Sequence, residues 1–337
     1  MKNLILAALL LSATPPPEEP HPVIILGGGI GGLTAAVYMG RAGLSPIVIE
    51  GKNPGGALAQ SHSVQNWPGE LDISGDRLAE KIHKQAEACG AKLFNEEVIS
   101  VDLSSFPYTI ETRNTFNHDK KRTLKAQSLI ISMGTTPNFL GVPGEQKYWT
   151  RGVYNCATCD GPLYKNKRVV IVGGGDAAIV EANYLANLAQ EVIILVRKRS
   201  FREGLEEVRK KEVLARPNVT VMYETEVKEI HGNEDELTKL IITTKGVEKE
   251  LPTDALFLAI GSKPNTTLFS DRLSLDKEGY IDLKEGQESS IPGVYAVGDI
   301  VNNMCKQAVC AAGEAARASL QAEKWLSTKK EPSEPLK

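Results

Sequence analysis

The chain is predicted to be an α/β protein made of two Rossmann-like dinucleotide-binding domains, one inserted into the other. Three observations predict this. A short apolar run enters a glycine-rich turn at residues 27–32. The same order of run, turn and helix recurs at residues 169–187. A late apolar run, Val294-Tyr295-Ala296-Val297, then resumes the first unit after the second has closed. The length of 337 residues fits two domains of ~150 residues each. An apolar fraction of 42% and a net charge of −3 suit a globular chain and give no electrostatic case for nucleic acid as a partner. No internal run reaches the ~18 apolar residues of a membrane span.

The N-terminus is read apart from the fold. Met1-Lys2-Asn3 leads into a wholly apolar run, residues 4–11, followed by Ser12-Ala13 and a Pro/Glu-rich stretch. A basic start, a short apolar core and small residues are the pattern of a secretory signal peptide. A disordered extension is the other reading, and both stay open for residues 1–21. The apolar run Val23-Ile24-Ile25-Leu26 reads as a buried parallel strand. It passes directly into Gly27-Gly28-Gly29-Ile30-Gly31-Gly32, a G-x-G-x-x-G at Gly27, Gly29 and Gly32. A helical segment over residues 33–42 and the strand Ile47-Val48-Ile49, ending in Glu50, complete the unit. The three glycines permit the tight turn, the approach of a pyrophosphate and close helix–strand packing. Glu50 can accept hydrogen bonds from ribose hydroxyls. A glycine motif alone is weak evidence, but strand, turn, helix, strand and acid in order are strong.

The second unit repeats the plan with the opposite charge. Val169-Val170-Ile171-Val172 leads into a turn with Gly173, Gly175, Asp176 and Ala178, then a helix over 179–187 and a strand over 192–196. No acid ends that strand. Arg197, Lys198 and Arg199 follow, with Arg202 close behind. Cations there suit a 2′-phosphate, hence NADPH rather than NADH; a solvated basic turn is the plainer alternative. The acidic unit suits the ADP half of FAD. The runs at 129–134 and 255–261 read as exits from one unit toward the other. The boundaries expected are 22–144 and 265–326 for the FAD domain, 145–264 for the NADPH domain and 327–337 for a polar tail.

Between the glycine turns lies Cys156-Ala157-Thr158-Cys159-Asp160-Gly161. Two thiols at this spacing can close a small disulfide, and the adjacent carboxyl can carry a proton. Half a zinc site is the competing reading, but no second ligand pair follows nearby. The five cysteines are too few and scattered for a disulfide-stapled scaffold. Cys89, Cys305 and Cys310 read as structural thiols.

The motif from Cys156 to Gly161 resembles the redox motif of low-molecular-weight thioredoxin reductases, in the expected place before the second glycine turn. The resemblance covers about residues 22–325. Residues 50–57, with Gly55 and Gly56, resemble the family's flavin-adenine loop. Gln65-Asn66-Trp67-Pro68-Gly69 is similar to its flavin-contacting segment, in which Asn66 is the expected contact. Residues 299–308 resemble the segment holding the flavin's ribitol and ring, through Asp299, Lys306, Gln307 and Ala308. The resemblance implies that NADPH reduces FAD, that FAD reduces the Cys156–Cys159 disulfide, and that the dithiol reduces a thioredoxin or thioredoxin-like protein. It implies Cys159 as the flavin-side thiol, Cys156 as the attacking thiol and Asp160 as acid/base. It also implies a homodimer and rotation of the inserted domain between half-reactions.

Departures from the pattern are Val196-Arg197-Lys198 where the family usually has His-Arg-Arg, Ala57 for a Gln, Lys306-Gln307 for Arg-Gln, and Cys310 for a Thr. Two other functions fit the residues less well. A flavin-dependent dithiol oxidase acting on a small molecule would need no 2′-phosphate site. A non-enzymatic redox-sensing module would need no acid beside the cysteines. The requirement for NADPH favours a cytoplasmic location, with export the alternative that residues 1–13 keep open.

Overall fold

A computed structural model describes residues 19–205, 207–302 and 305–330. The signal-like run at 4–11 and the end of the polar tail lie outside the described residues. A mixed sheet and a parallel sheet organise the rest, and their order reflects the two glycine-turn units.

The first sheet is seven-stranded. His21–Leu26 lies between Ile47–Ile49 and Lys121–Ile131, parallel to both, and Lys92–Phe94 extends the edge beyond Ile47–Ile49. Alternation along the strand assigns its two faces. Val23 and Ile25 pack with Leu33, Ala36, Leu78, Ala315 and Ala322 under the helices Ile30–Arg41, Gly75–Ala88 and Ala308–Lys330. Ile24 and Leu26 face the other way, onto Ile110, Phe269 and Leu273. The antiparallel pair Glu96–Asp102 and Tyr108–Asn114 joins the sheet through the first half of Lys121–Ile131. Val294–Ala296 pairs with the second half, so the returning chain does complete the first sheet.

The residues between build the second sheet. Arg168–Val172 has Glu191–Val196 on one side and Ala255–Leu258 on the other, with Val219–Tyr223 and Val153–Tyr154 at the edges, all parallel. Val169 and Ile171 pack under the helix Asp176–Leu185. Val170 packs against a three-stranded antiparallel sheet through Leu240 and Ile242. The two exits meet: Thr135–Pro137 and Ser262–Pro264 pair antiparallel as a two-stranded ribbon.

The expected elements are present with shifted bounds. The first helix starts at Ile30 rather than 33, because the N–H of Leu33 already reaches the carbonyl of Gly29 (2.9 Å). The last helix runs from Ala308 to Lys330, into the stretch expected as a polar tail. Its end is polar yet helical, since Lys, Ser and Thr at its surface need no burial. The returning run at 294–297 forms a strand over Val294–Ala296 and gives way to a 3₁₀ turn, Gly298–Ile300. Among the described residues no helix is long and apolar enough to cross a membrane.

The helix–strand approach in the first unit is a hard steric limit. A Cβ on Gly32 would lie 1.9 Å from the carbonyl oxygen of Gly27. Gly32→Ala is therefore expected to destabilise the chain by ~1–3 kcal/mol or more, the cost of overpacking. Thermal unfolding of the two proteins measures this, and an unchanged melting temperature would contradict it.

Candidate active site

The first glycine turn is shaped for a phosphate. Gly27 has φ of +110°, and its missing Cβ leaves room for the carbonyl of Ser132, which would otherwise be 2.3 Å away. Gly29 caps the helix Ile30–Arg41 without any side-chain partner for the first N–H groups, and its only neighbour at Cβ range is Gly56 at 3.8 Å. Gly55 and Gly56 are both left-handed (φ +83° and +65°), and the N–H of Gly55 donates to the carbonyl of Gly28 (2.9 Å). The loop 55–56 thus lies beside the turn. Glu50 ends the second strand at 6% exposure. Its Oε1 is buried, and its nearest polar neighbour is His83 Nε2 at 3.3 Å, outside good hydrogen-bond geometry. Burial holds the Glu50 carboxyl above its ordinary range, partly offset by His83. An orphaned acceptor beside an uncapped helix start fits the ribose and pyrophosphate of a dinucleotide.

The second turn has the same open geometry with a cationic rim. A Cβ on Gly173 would meet the carbonyl of Ala259 at 2.5 Å and the Cβ of Ala178 at 3.0 Å, so Ala178 fills the third small position. Gly175 caps the helix Asp176–Leu185 with no side-chain cap, and Asp176 lies in its first turn. Arg202 sits over this turn: its N–H donates to the carbonyl of Gly174 (2.8 Å), and its Cζ is 3.9 Å from where a Gly175 Cβ would be. Arg197 and Lys198 are exposed at the end of Glu191–Val196. Arg199 turns away to pair with Glu224 (3.0 Å). These residues fit a dinucleotide carrying an added phosphate.

Cys156 and Cys159 form a disulfide with Cα atoms 5.3 Å apart. A single helical turn, Ala157–Asp160, joins them, and the N–H of Cys159 reaches Cys156 Sγ (3.2 Å). The pair is held against the other half of the molecule by Gln307. Its Nε2 is 3.8 Å from each sulfur and donates to Thr158 Oγ1 (3.1 Å), while its Oε1 accepts from Asn66 Nδ2 (3.1 Å). Asn66 and Gln307, expected as cofactor contacts, thus meet each other at the cysteines. Lys306 is committed elsewhere: its Nζ donates to Tyr280 Oη (2.6 Å) and lies 4.4 Å from that ring's centre. Ala308 opens the final helix. Asp299, in the 3₁₀ turn, is raised by burial and lowered by Lys306.

Asp160 has the proton-carrying character that its position calls for. Burial pushes its carboxyl up to about 7. Tyr154 and Tyr164, whose hydroxyls are 3.0 Å apart, lie close enough to feel its charge. One half-buried acid has no counterpart among the residues that the sequence singles out. Glu181, in the helix after the second turn, has an unpartnered Oε2 and is pushed up to about 8 by burial. An acid flanked by Val180 and Ala182 in a helix under a sheet was the available signal.

One expectation is corrected. Cys305 and Cys310 are joined in a second disulfide rather than standing as separate thiols. The start of the last helix turns the chain back at Gln307, which brings the two sulfurs together. Cys89 is a free, half-buried thiol.

Two dinucleotide-shaped turns and a disulfide beside a protonatable acid define a nucleotide-dependent disulfide oxidoreductase. A family model described as pyridine nucleotide-disulphide oxidoreductase matches residues 21–315, and the chain belongs to that family. Within it the chain stands with the thioredoxin reductases. It is 37% identical over 305 residues to the thioredoxin reductase of Spironucleus barkhanus, covering 90% of this chain and 97% of that one. It is 39% identical over 313 residues to NADPH-dependent thioredoxin reductase 3 of Arabidopsis thaliana, covering 90% of this chain; that match spans 58% of the relative's length. The solved thioredoxin reductase from Giardia duodenalis superposes with a TM-score of 0.83 at 37% identity, covering 90% of this chain and 98% of that one. The chain is an enzyme, a flavin- and nicotinamide-dependent disulfide reductase of the thioredoxin reductase type.

The raised Asp160 carboxyl links stability to pH. The folded chain keeps this proton up to about pH 7, whereas an ordinary Asp loses it near 3.8. Its contribution to stability is full below about pH 4 and is lost as the pH rises toward 7. Asp160→Asn removes that loss, so its gain in melting temperature over the parent should be larger at pH 8 than at pH 5. Equal gains at both pH values would contradict the assignment.

Proposed function

We propose that the chain uses FAD in the first unit and NADPH in the second to reduce the disulfide of a thioredoxin or thioredoxin-like protein. The observation that carries this is the closed Cys156–Cys159 pair, set beside a protonatable Asp160 and held by Gln307 and Asn66. The proposed domains are 22–144 with 265–326 for FAD and 145–264 for NADPH. Gly27, Gly29, Gly32, Gly55 and Gly56 receive the FAD pyrophosphate, Glu50 its ribose, and Asn66, Asp299, Gln307 and Ala308 the flavin end. Lys306 supports that end through Tyr280. Gly173, Gly175, Asp176 and Ala178 receive the second pyrophosphate, and Arg197, Lys198 and Arg202 the 2′-phosphate.

When bound, the nicotinamide and flavin supply two electrons to the disulfide. The chain's own residues handle the protons and the exchange with the partner. Opening the disulfide yields two thiols and takes up two protons, and Asp160, its carboxyl pushed up to about 7, can give or take a proton beside Cys159. The Gln307 amide N–H faces the sulfurs, where it stabilises a developing thiolate. The Cys156 thiolate attacks the partner's disulfide, and a mixed disulfide forms. Cys159 then attacks Cys156 Sγ, which closes the 156–159 bond and releases the partner as a dithiol. Rotation of the inserted domain between half-reactions, a homodimer and a cytoplasmic location where NADPH is supplied belong to the same proposal.

The test is NADPH-dependent reduction of a panel of thioredoxin-like proteins by the purified protein. Cys159→Ser should trap the partner as a mixed disulfide through Cys156, Cys156→Ser should trap none, and neither should turn over. Full activity in either variant would overturn the assignment. NADPH should be strongly preferred over NADH. Arg197→Ala with Lys198→Ala should narrow the preference by roughly tenfold or more, because each charge-assisted contact contributes ~1.5–3 kcal/mol. Equal efficiency with both coenzymes in the parent would contradict the 2′-phosphate site.

A further inference from the structure

The second disulfide encloses the residue that touches the first. Cys305 and Cys310, with Cα atoms 6.2 Å apart, close a ring around Lys306, Gln307, Ala308 and Val309. Within that ring the backbone of Gln307 receives N–H groups from Cys310 (3.1 Å) and Ala311 (3.0 Å), the first bonds of the last helix. Lys306 is tethered to Tyr280 (2.6 Å). The ring therefore restrains the backbone from which the Gln307 side chain reaches Asn66, Thr158 and both catalytic sulfurs. Cys305 is exposed, so a thiolate can approach it from solvent. In a compartment that keeps thiols reduced, disulfides that do occur are mostly transient, catalytic or redox-sensing.

We propose that Cys305–Cys310 is a second redox site, opened by a protein dithiol of the thioredoxin class, and that its state sets how firmly Gln307 holds the catalytic pair. The proposal rests on the reading of Cys156–Cys159 as the working disulfide. A thiolate of the dithiol attacks Cys305 Sγ, the Cys305–Cys310 bond breaks, and Cys310 leaves as a thiolate that takes a proton. The second thiol of the reagent attacks its own bonded sulfur and releases Cys305. The chain gains two electrons and two protons, and the reagent becomes a disulfide. The enzyme's own reaction supplies such a dithiol. Accumulated product thus opens the ring, loosens Gln307 and slows the site that made it.

The test uses the full chain with its bound flavin. Free thiols are alkylated and mapped by mass spectrometry before and after graded dithiothreitol, and again with a reduced thioredoxin. Cys89 is the free-thiol reference. Cys305 and Cys310 should be unlabelled in the isolated protein and both labelled after either reductant. Labelling without reductant, or none once Cys156 and Cys159 have been labelled, would overturn the proposal. NADPH-dependent reduction of a small aromatic disulfide is then measured after dithiothreitol pretreatment and desalting. The pretreated parent should slow by roughly three- to tenfold, the effect of one net hydrogen bond. Cys305→Ser with Cys310→Ser should show the slow rate whether or not it is pretreated. Equal rates in the treated and untreated parent would overturn the regulatory role, and that comparison stands even if the double variant fails to fold. If no form turns over, the disulfide reductase reading fails, while the labelling pattern still decides whether the second pair is a redox site.

Discussion

Two electrons must pass between parts of the chain that are built on separate sheets, and in this structure they meet at Gln307. Its amide accepts from Asn66 and points its N–H groups at Thr158 and the two sulfurs. An amide has one acceptor end and one donor end. Asn66 donates to the oxygen, which lies 3.9 Å from Cys159 Sγ, and the N–H end lies 3.8 Å from both sulfurs. The N–H end is the one with the favourable polarity for a thiolate. The contact through Gln307 is polar, which suits the proposed rotation of the inserted domain. A large apolar interface at this point would resist such movement.

The remainder of the architecture serves to bring those groups to the same place. Close packing at Gly32 and Gly173 seats each helix directly on its strand, so that each helix start opens at the end of the sheet. The two units then differ in charge. Glu50 buries an unpartnered oxygen, whereas Arg197 and Lys198 stay in solvent. Burying an acceptor costs free energy unless a donor arrives, which suits the tightly held flavin proposed for the first unit. An exposed cationic rim is screened and exchangeable, which suits a coenzyme that enters and leaves each cycle. The ribbon of Thr135–Pro137 and Ser262–Pro264 is a narrow double connection between the two sheets, the kind of joint that can act as a hinge.

Much of this was legible in the sequence because it is local. The turns at 27–32 and 173–178 declare themselves by spacing, and the Cys156–Cys159 pair by adjacency to Asp160. The same holds for the return strand at 294–296, since a buried parallel strand is a short unbroken apolar run. The illegible features are long-range or depend on burial. Asn66 and Gln307 are 241 positions apart, and no local pattern pairs them. Nor does any pattern tell whether Cys305 and Cys310 are bonded, because two cysteines five positions apart are as compatible with free thiols as with a bridge. The rise of the Asp160 and Glu181 carboxyls comes from the apolar surroundings each finds on folding. The hydrogen bond from Lys306 to Tyr280, 26 residues earlier, likewise follows from no local pattern.

Cys156–Cys159 acts as a two-electron store in series with the bound flavin, and everything else in the mechanism depends on that. Anaerobic reductive titration of the purified holoenzyme tests it most directly. The parent should take up about two electrons more per bound flavin than Cys159→Ser, the stoichiometry of one disulfide couple. The same uptake in both proteins would contradict it.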